Sequence, residues 1–304
     1  MISAAVCLVL FSGCRRAQID SHHVTQIPAV DRDEFSVMTY NLDRFGYHDR
    51  DGDGQPNNPK PEIEVEAVIA LIFDVSPDIL ALQEIGGPQI IEDLRNRLEH
   101  YGLRYDYVEY LRRDESELNM AVLSRYPIVS RRSKLEDAYT IGEARLPVTR
   151  GILDVDIEIR PSHIVRMMTA HLKSKTYHPL GQTEMRRNEA RLLNNHVRHA
   201  LNENPGLHLI VAGDMGDGIG SAALRTITGT EGEYLVDTRP SDSFGEIWTY
   251  FNADQEEYLR HDYILCSINM VPLLVSEKTA VIRHRSGATA STHRPVMAVF
   301  KTMP

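Results

Sequence analysis

Cysteine is scarce in this chain. Of three residues, Cys7 and Cys14 sit at the N-terminal end, which leaves Cys266 alone in the body and excludes an intramolecular disulfide there. Cys266 lies in the apolar run Tyr263–Cys266, a setting that predicts a buried structural thiol rather than a nucleophile. Positive charge is also in deficit: 33 Lys and Arg face 43 Asp and Glu, for a net charge of −10, and no basic run stands out. That weighs against a broad phosphate-backbone stripe of the kind sequence-specific nucleic-acid binders carry. It leaves open the capture of a single phosphate by a few local groups. Beyond the first dozen residues no run is long and apolar enough to cross a bilayer as a helix. Aromatic residues are few, and no exposed aromatic hairpin for docking on a membrane is evident in the sequence.

What remains is a chain of 304 residues with 42% hydrophobic and 25% charged content, enough to build a substantial core. Residues 1–14 read as an export segment: Ala4–Phe11 is apolar, and Phe11-Ser12-Gly13-Cys14 resembles a bacterial lipoprotein signal in which Cys14 becomes the lipidated first residue. Phe11 stands where Leu is usual, and no Lys or Arg precedes the apolar run; an ordinary cleaved signal or a short anchor is the alternative. The expected location is periplasmic or cell-surface, with any membrane attachment only through that lipid. Residues 15–33 are polar and aperiodic and read as a tether. Residues 34–304 contain no repeat or linker and read as one domain, expected to be a monomer.

Within it, short β-rich runs alternate with helical patterns. Strands are expected at Phe35–Tyr40, Ile79–Leu82, Leu207–Ala212, Tyr258–Ser267, Met270–Val275 and Val296–Phe300, and antiparallel pairs over Val108–Leu123 and Ile152–Thr169. Helices are expected at Ile63–Phe73, Pro88–Leu98 and, longest, Gln182–Leu201, where Ala190, Leu193, Val197 and Ala200 share a face. The fold class is α/β with mixed sheets. Two sheets packed face to face with helices outside would fit, although periodicity does not select that arrangement over others.

Ionisable and amide side chains recur at the ends of the apolar strands: Asn41, Glu84, His171, Asp214, Asp262 and His293. A strand end is a rigid place from which to project a catalytic group. Singly, each has a bland explanation as a turn residue, a helix cap or a surface histidine. Elsewhere, Asp49, Asp51 and Asp53 followed by Gly54 match the first half of a calcium loop, with Asn57 acceptable at the ninth position. Lys60 stands where the bidentate Glu belongs, with Glu62 nearby, so the alternative is an acidic surface loop. Trp248 either lines a substrate cleft or packs.

The succession MTYNL, LQEIG, AHLKS, AGDMGD, HDYIL and STHRPV, with LSRYPI at Leu123–Ile128, resembles the signature series of the endonuclease/exonuclease/phosphatase superfamily from Thr39 to Val296. The resemblance implies a four-layer α/β sandwich, two packed mixed β-sheets flanked by helices, with the site in a cleft at one end. It implies a metal-dependent phosphoesterase in which Glu84, with Asn41 beside it, holds Mg²⁺ or Mn²⁺. Asp214 would orient or deprotonate the attacking water, Asp262 would hold the His293 imidazole, and His171 would donate to phosphate. Whether Asp214 or His293 is the base is open. Lys173, Lys175 and Arg187 are candidate phosphate contacts near His171, with the solvated face of its helix the equal alternative for Arg187.

Two positions depart from the family pattern. Gly216 replaces the Asn of GDFN or GDMN, an amide that should donate to the transition-state phosphate, and Thr292 replaces an Asp before the last histidine. Asp217 is a candidate to compensate, and replacing Gly216 with Asn is expected to raise turnover if the rest of the site is intact. The expected substrate is a phosphodiester, nucleic acid included. The alternatives are a phosphatase or phospholipase-type hydrolase of a small or lipid phosphate ester, and a degenerate, non-catalytic binding module. The possible calcium loop would make Ca²⁺ a second ion.

Overall fold

The computed structural model describes residues 27–113, 118–229 and 233–303. The export segment with Cys14, and most of the expected tether, lie outside the described residues. The last part of that tether is not free of the body. Ile27 packs against the core, Asp31 pairs with Lys278 at 2.8 Å, and the Asp33 carbonyl accepts the Thr302 N–H at 2.7 Å.

Two six-stranded mixed sheets carry the molecule. The first runs in the order 280–281, 296–301, 34–45, 79–85, 119–124, 107–111. The second runs 236–237, 262–266, 209–214, 163–171, 152–160, 128–131. Each has one parallel pair at its centre, Glu34–Phe45 beside Ile79–Ile85 in one and His163–His171 beside Leu209–Asp214 in the other, flanked by antiparallel neighbours. The expected antiparallel pairs at 108–123 and 152–169 are both present.

Side chains alternate across a strand, so a strand covered on both faces must be apolar on both. In Glu34–Phe45, Phe35 and Val37 enter the space between the sheets, while Met38, Tyr40 and Leu42 turn outward beneath helices α1 (Glu62–Val75) and α2 (Pro88–His100). In Leu209–Asp214, Ile210 and Ala212 face inward, and Leu209 and Val211 meet α3 (Gln182–Glu203) and α4 (Ala222–Thr228). The result is four layers, helix–sheet–sheet–helix. The stripe expected on α3 is the one buried: Ala190, Leu193 and Val197 are at 0% exposure.

Three local readings need correction. Met270–Val275 is not a strand: Pro272 removes an amide donor, and residues Ile268–Leu273 form a 3₁₀ turn. The run 258–267 is not continuous either. Glu257–Leu259 folds back on Tyr250–Asn252 as a separate hairpin, and only Asp262–Cys266 joins the large sheet. That hairpin is aromatic. Tyr258, 60% exposed, stacks against Trp248 and Phe251 with centroids 4.6 and 4.8 Å away, which overturns the expectation that the surface has no such feature.

Candidate active site

The central parallel strands of both sheets end at the same place, and their C-terminal ends build the site. His171 and Asp214 are register partners across the parallel pair, and Asp214 is in turn opposite Asp262. Register partners share a face, so one sheet delivers three functional side chains in a row. On the other sheet the pairing is interrupted between Asn41 and Phe45 and between Gln83 and Ile85. Glu84 there takes φ 60°, as do Asp43 and Arg44 at 50° and 56°. Non-glycine residues in this left-handed region cost about 1–3 kcal/mol each, and irregularities of this kind re-aim side chains beside active sites.

The two sheets meet through Asn41, whose Nδ2 donates to Glu84 Oε1 at 3.2 Å and to Asp214 Oδ2 at 3.0 Å. His171 Nε2 stands 3.5 Å from Asp214 Oδ2 and 3.8 Å from Glu84 Oε1. His293 comes from the turn before the strand Val296–Lys301, placed by Ser291, whose hydroxyl donates to the Asn41 carbonyl and accepts the His293 N–H. Its Nδ1 pairs with Asp262 Oδ2 at 2.8 Å, and its Nε2 faces Asp214 Oδ2 at 3.9 Å. Asn41, Glu84, His171, Asp214 and His293 line one cleft of about 470 Å³, and Asp262 lies buried behind His293.

The electrostatics divide these groups by role. Burial disfavours charge on His293, yet the Asp262 carboxylate and its hydrogen bond, with Asp214 and Glu84 behind them, raise its pKa to about 9. Burial also pushes Asp262 up, to about 6, against the pull of His293. At neutral pH the pair is therefore imidazolium and carboxylate. Asp214 is buried too, but the imidazoles of His171, His293 and His261 and the Asn41 amide hold it well below its ordinary value, as the anion. His171 goes the other way: burial, then the Arg150 charge, drive it well below the usual range and leave it neutral.

The cleft suits a hard cation. Asp43, Glu84 and Asp214 bring carboxylates to it, and no Lys or Arg side chain pairs with Glu84 or Asp214 among the described residues. Glu84 Oε2 accepts the Arg44 N–H, which steadies the carboxylate without neutralising it. Oxygen donors beside water-accessible space are the set Mg²⁺ prefers.

Gly216 lines the cleft and donates its N–H to Asp214 Oδ1 at 2.8 Å. Of the three cationic candidates, Lys175 lines it, and Lys173 and Arg187 do not. Arg187 lies on the solvated face of α3, paired with Glu184 at 3.0 Å, because the helical period turns it outward. Lys173 directs its ammonium to the Thr176 carbonyl instead. Asp217 is engaged by buried Arg186 at 3.2 Å. Thr292 offers no charge, but its hydroxyl donates to Asp43 at 3.2 Å and so keeps a carboxylate at that edge.

Arg150 and His261 are cleft residues that the strand-end pattern does not reveal. Arg150 is buried, donates to the Leu172 carbonyl at 3.1 Å, and lines the cleft ahead of the strand Ile152–Arg160. A lone Arg-Gly before a strand reads as a turn, so no signal marks it. Trp248 lies outside this cleft, covered by Arg294 at 3.1 Å from its ring centroid. Asp49, Asp51 and Asp53 bring carboxylate oxygens within 4.8 Å of one another on the surface. Lys60 is buried there, bonded to the Asp43 carbonyl and to Glu64 at 3.1 Å, and Glu62 is held by Arg97; neither completes a calcium loop.

Comparison with known proteins agrees with this geometry. The model of the Endonuclease/Exonuclease/phosphatase family matches residues 38–281. The human Nocturnin catalytic domain with bound sulfate anion superposes with a TM-score of 0.62 at 16% identity, covering 90% of this chain and 97% of that one. An endonuclease/exonuclease/phosphatase from Bacteroides vulgatus gives 0.62 at 18% identity, with coverage of 89% and 99%. Truncated Caenorhabditis elegans TDP2 gives 0.57 at 18% identity, with coverage of 88% and 98%. No curated protein matches at the sequence level. With the family model spanning most of the chain and the site residues gathered in one cleft, the protein belongs to the endonuclease/exonuclease/phosphatase family.

Proposed function

We propose that this protein is a divalent-metal-dependent hydrolase of phosphodiesters, exported to the periplasm or cell surface and lipid-anchored through Cys14. The observation that carries the chemistry is the meeting of Asn41 and Glu84 from one sheet with His171, Asp214 and His293 from the other. Glu84, with Asn41 and Asp43 beside it, would hold Mg²⁺ or Mn²⁺, which supplies charge neutralisation at a phosphate oxygen. Anionic Asp214, fixed by Asn41 and the Gly216 N–H, orients a water for in-line attack. Charged His293, held by Asp262, receives a phosphate oxygen, and neutral His171 supplies a further hydrogen bond.

The exposed hairpin bearing Phe251 and Tyr258 favours a second reading, a lipid phosphodiester presented at a membrane surface. A panel of plasmid DNA, bis(p-nitrophenyl) phosphate, a phosphomonoester and sphingomyelin vesicles, each with Mg²⁺, Mn²⁺ or chelator, separates these. Metal-dependent cleavage of DNA and the synthetic diester is the expected result; activity confined to vesicles would transfer the reading to lipids. Inertness on every substrate, for folded protein, would leave a binding module. Export is tested separately: Cys14→Ser is expected to move the protein from the membrane to the soluble fraction.

A further inference from the structure

The family pattern carries an amide at position 216, and here a glycine leaves that wall of the cleft bare. There is little room to restore it. A Cβ at Gly216 would stand 3.2 Å from the Lys173 carbonyl and 3.3 Å from the Arg186 side chain. Nearby, just before the strand Asp262–Cys266, the imidazole of His261 lines the same cleft while only 6% exposed. The Met215 N–H, one residue before Gly216, donates to the His261 carbonyl at 2.8 Å, so the segments carrying Gly216 and His261 run next to each other. The His261 ring stacks on Tyr250, centroids 4.9 Å apart and planes at 17°, and the far face of the cleft continues from Tyr250 to His293 at 4.6 Å. Backbone contacts fix the residue further, since its N–H donates to Thr249 Oγ1 at 3.0 Å.

What this packing does not supply is a partner for the ring: Nε2 is buried with no hydrogen bond among the described residues. A buried polar atom without a partner costs about 1–3 kcal/mol, so at a cleft wall a bound water or ligand is called for to supply it. Burial, which outweighs the nearby Asp214 charge, keeps His261 neutral with its pKa lowered to about 4. A neutral imidazole offers one N–H donor without adding charge.

Resting on the phosphoesterase reading above, we propose that His261 donates to a non-bridging oxygen of the substrate phosphate, in the place of the amide that Gly216 lacks. The cleft wall that runs from His261 over Tyr250 to His293 would then carry an imidazole donor where the family pattern has a carboxamide. The ligand class is a phosphate ester, or the inorganic phosphate it resembles.

Two variants test this in the full-length protein. His261→Leu keeps an apolar side chain against Tyr250 but removes the donor, and His261→Gln returns a donor. The His261→Leu protein is expected to lose about 10²-fold in kcat/KM, the scale of one transition-state donor. It is also expected to bind inorganic phosphate about tenfold more weakly in the presence of Mg²⁺, by calorimetry, with His261→Gln recovering most of both. Thermal melting of each variant identifies a loss that is only structural. Wild-type kcat/KM together with wild-type phosphate affinity in folded His261→Leu would overturn the proposal. If the wild type hydrolyses nothing, the phosphoesterase reading fails while the calorimetric comparison still decides whether His261 contacts phosphate.

Discussion

At the scale of single residues, the His293–Asp262 pair controls the expected pH dependence. His293 is raised to about 9 and Asp262 to about 6, so the ion pair exists between those values. Asp214, Glu84, His171 and His261 surround it, and the first two favour the imidazolium. The sign follows: activity is expected to fall as pH drops below about 6, where Asp262 gains a proton, and again as His293 loses its own near 9, giving a bell whose limbs belong to the pair. In Asp262→Asn the alkaline limb is expected to move down, because the charge that raised His293 is gone, with kcat lower by about 10²–10⁴. A pH–rate profile unchanged by that substitution would remove the pair from the chemistry. Gly216 behaves differently from what sequence alone suggests. Its φ of 63° is one that Asn tolerates, but the new Cβ presses on a backbone carbonyl and on buried Arg186. Gly216→Asn is therefore expected to cost about 1–3 kcal/mol of stability without raising turnover, a result readable from urea melts beside the rates.

At the scale of elements, the site depends on loops tied to the helix behind them. Glu189 on α3, fully buried, accepts the Thr149 N–H at 2.8 Å and the Lys173 N–H at 2.6 Å, and so pins the segments carrying Arg150 and His171. Its replacement by Ala leaves buried donors unpaired, so Glu189→Ala is expected to lose about 2–4 kcal/mol and to lower kcat through displaced loops; calorimetry with kinetics reads both. The aromatic hairpin turns one side to the cleft, through Tyr250, Asn252 and Leu259, and another to solvent, through Tyr258. Tyr258→Ser, at the exposed tip that does not line the cleft, is expected to reduce binding to lipid vesicles while leaving hydrolysis of a small soluble diester within twofold, roughly the effect of a surface change.

How far these elements were legible follows from their physics. The stripe of α3 and the alternation through Ile152–Arg160 state their periods openly, and the strand-end acids and histidines were readable as an ordered set. Glu84 was placed after its strand, whereas it sits inside one at an irregularity that no alternation pattern announces. Pro272 was the available signal against a strand at 270–275 and was outvoted by apolar composition. The hairpin was missed because its aromatic residues are separated by the turn that brings them together, and Arg150 because burial, not sequence, sets it apart.

At the scale of the whole molecule, two similar sheets place the ends of their central parallel strands against one another. On the proposed reading the net charge of −10 is no obstacle to an anionic substrate, because a cation held by the acidic donors of the cleft would reverse the local field. The central claim is that Glu84 commits this cleft to metal-dependent phosphodiester hydrolysis. The most direct test compares hydrolysis of bis(p-nitrophenyl) phosphate by the wild type and by Glu84→Ala, with Mg²⁺ or Mn²⁺ titrated and melting temperatures recorded alongside. Metal-dependent turnover and metal-induced stabilisation in the wild type, both lost in a folded Glu84→Ala protein, are expected. Equal hydrolysis by the two proteins, or turnover in the wild type that chelator leaves untouched, would contradict it.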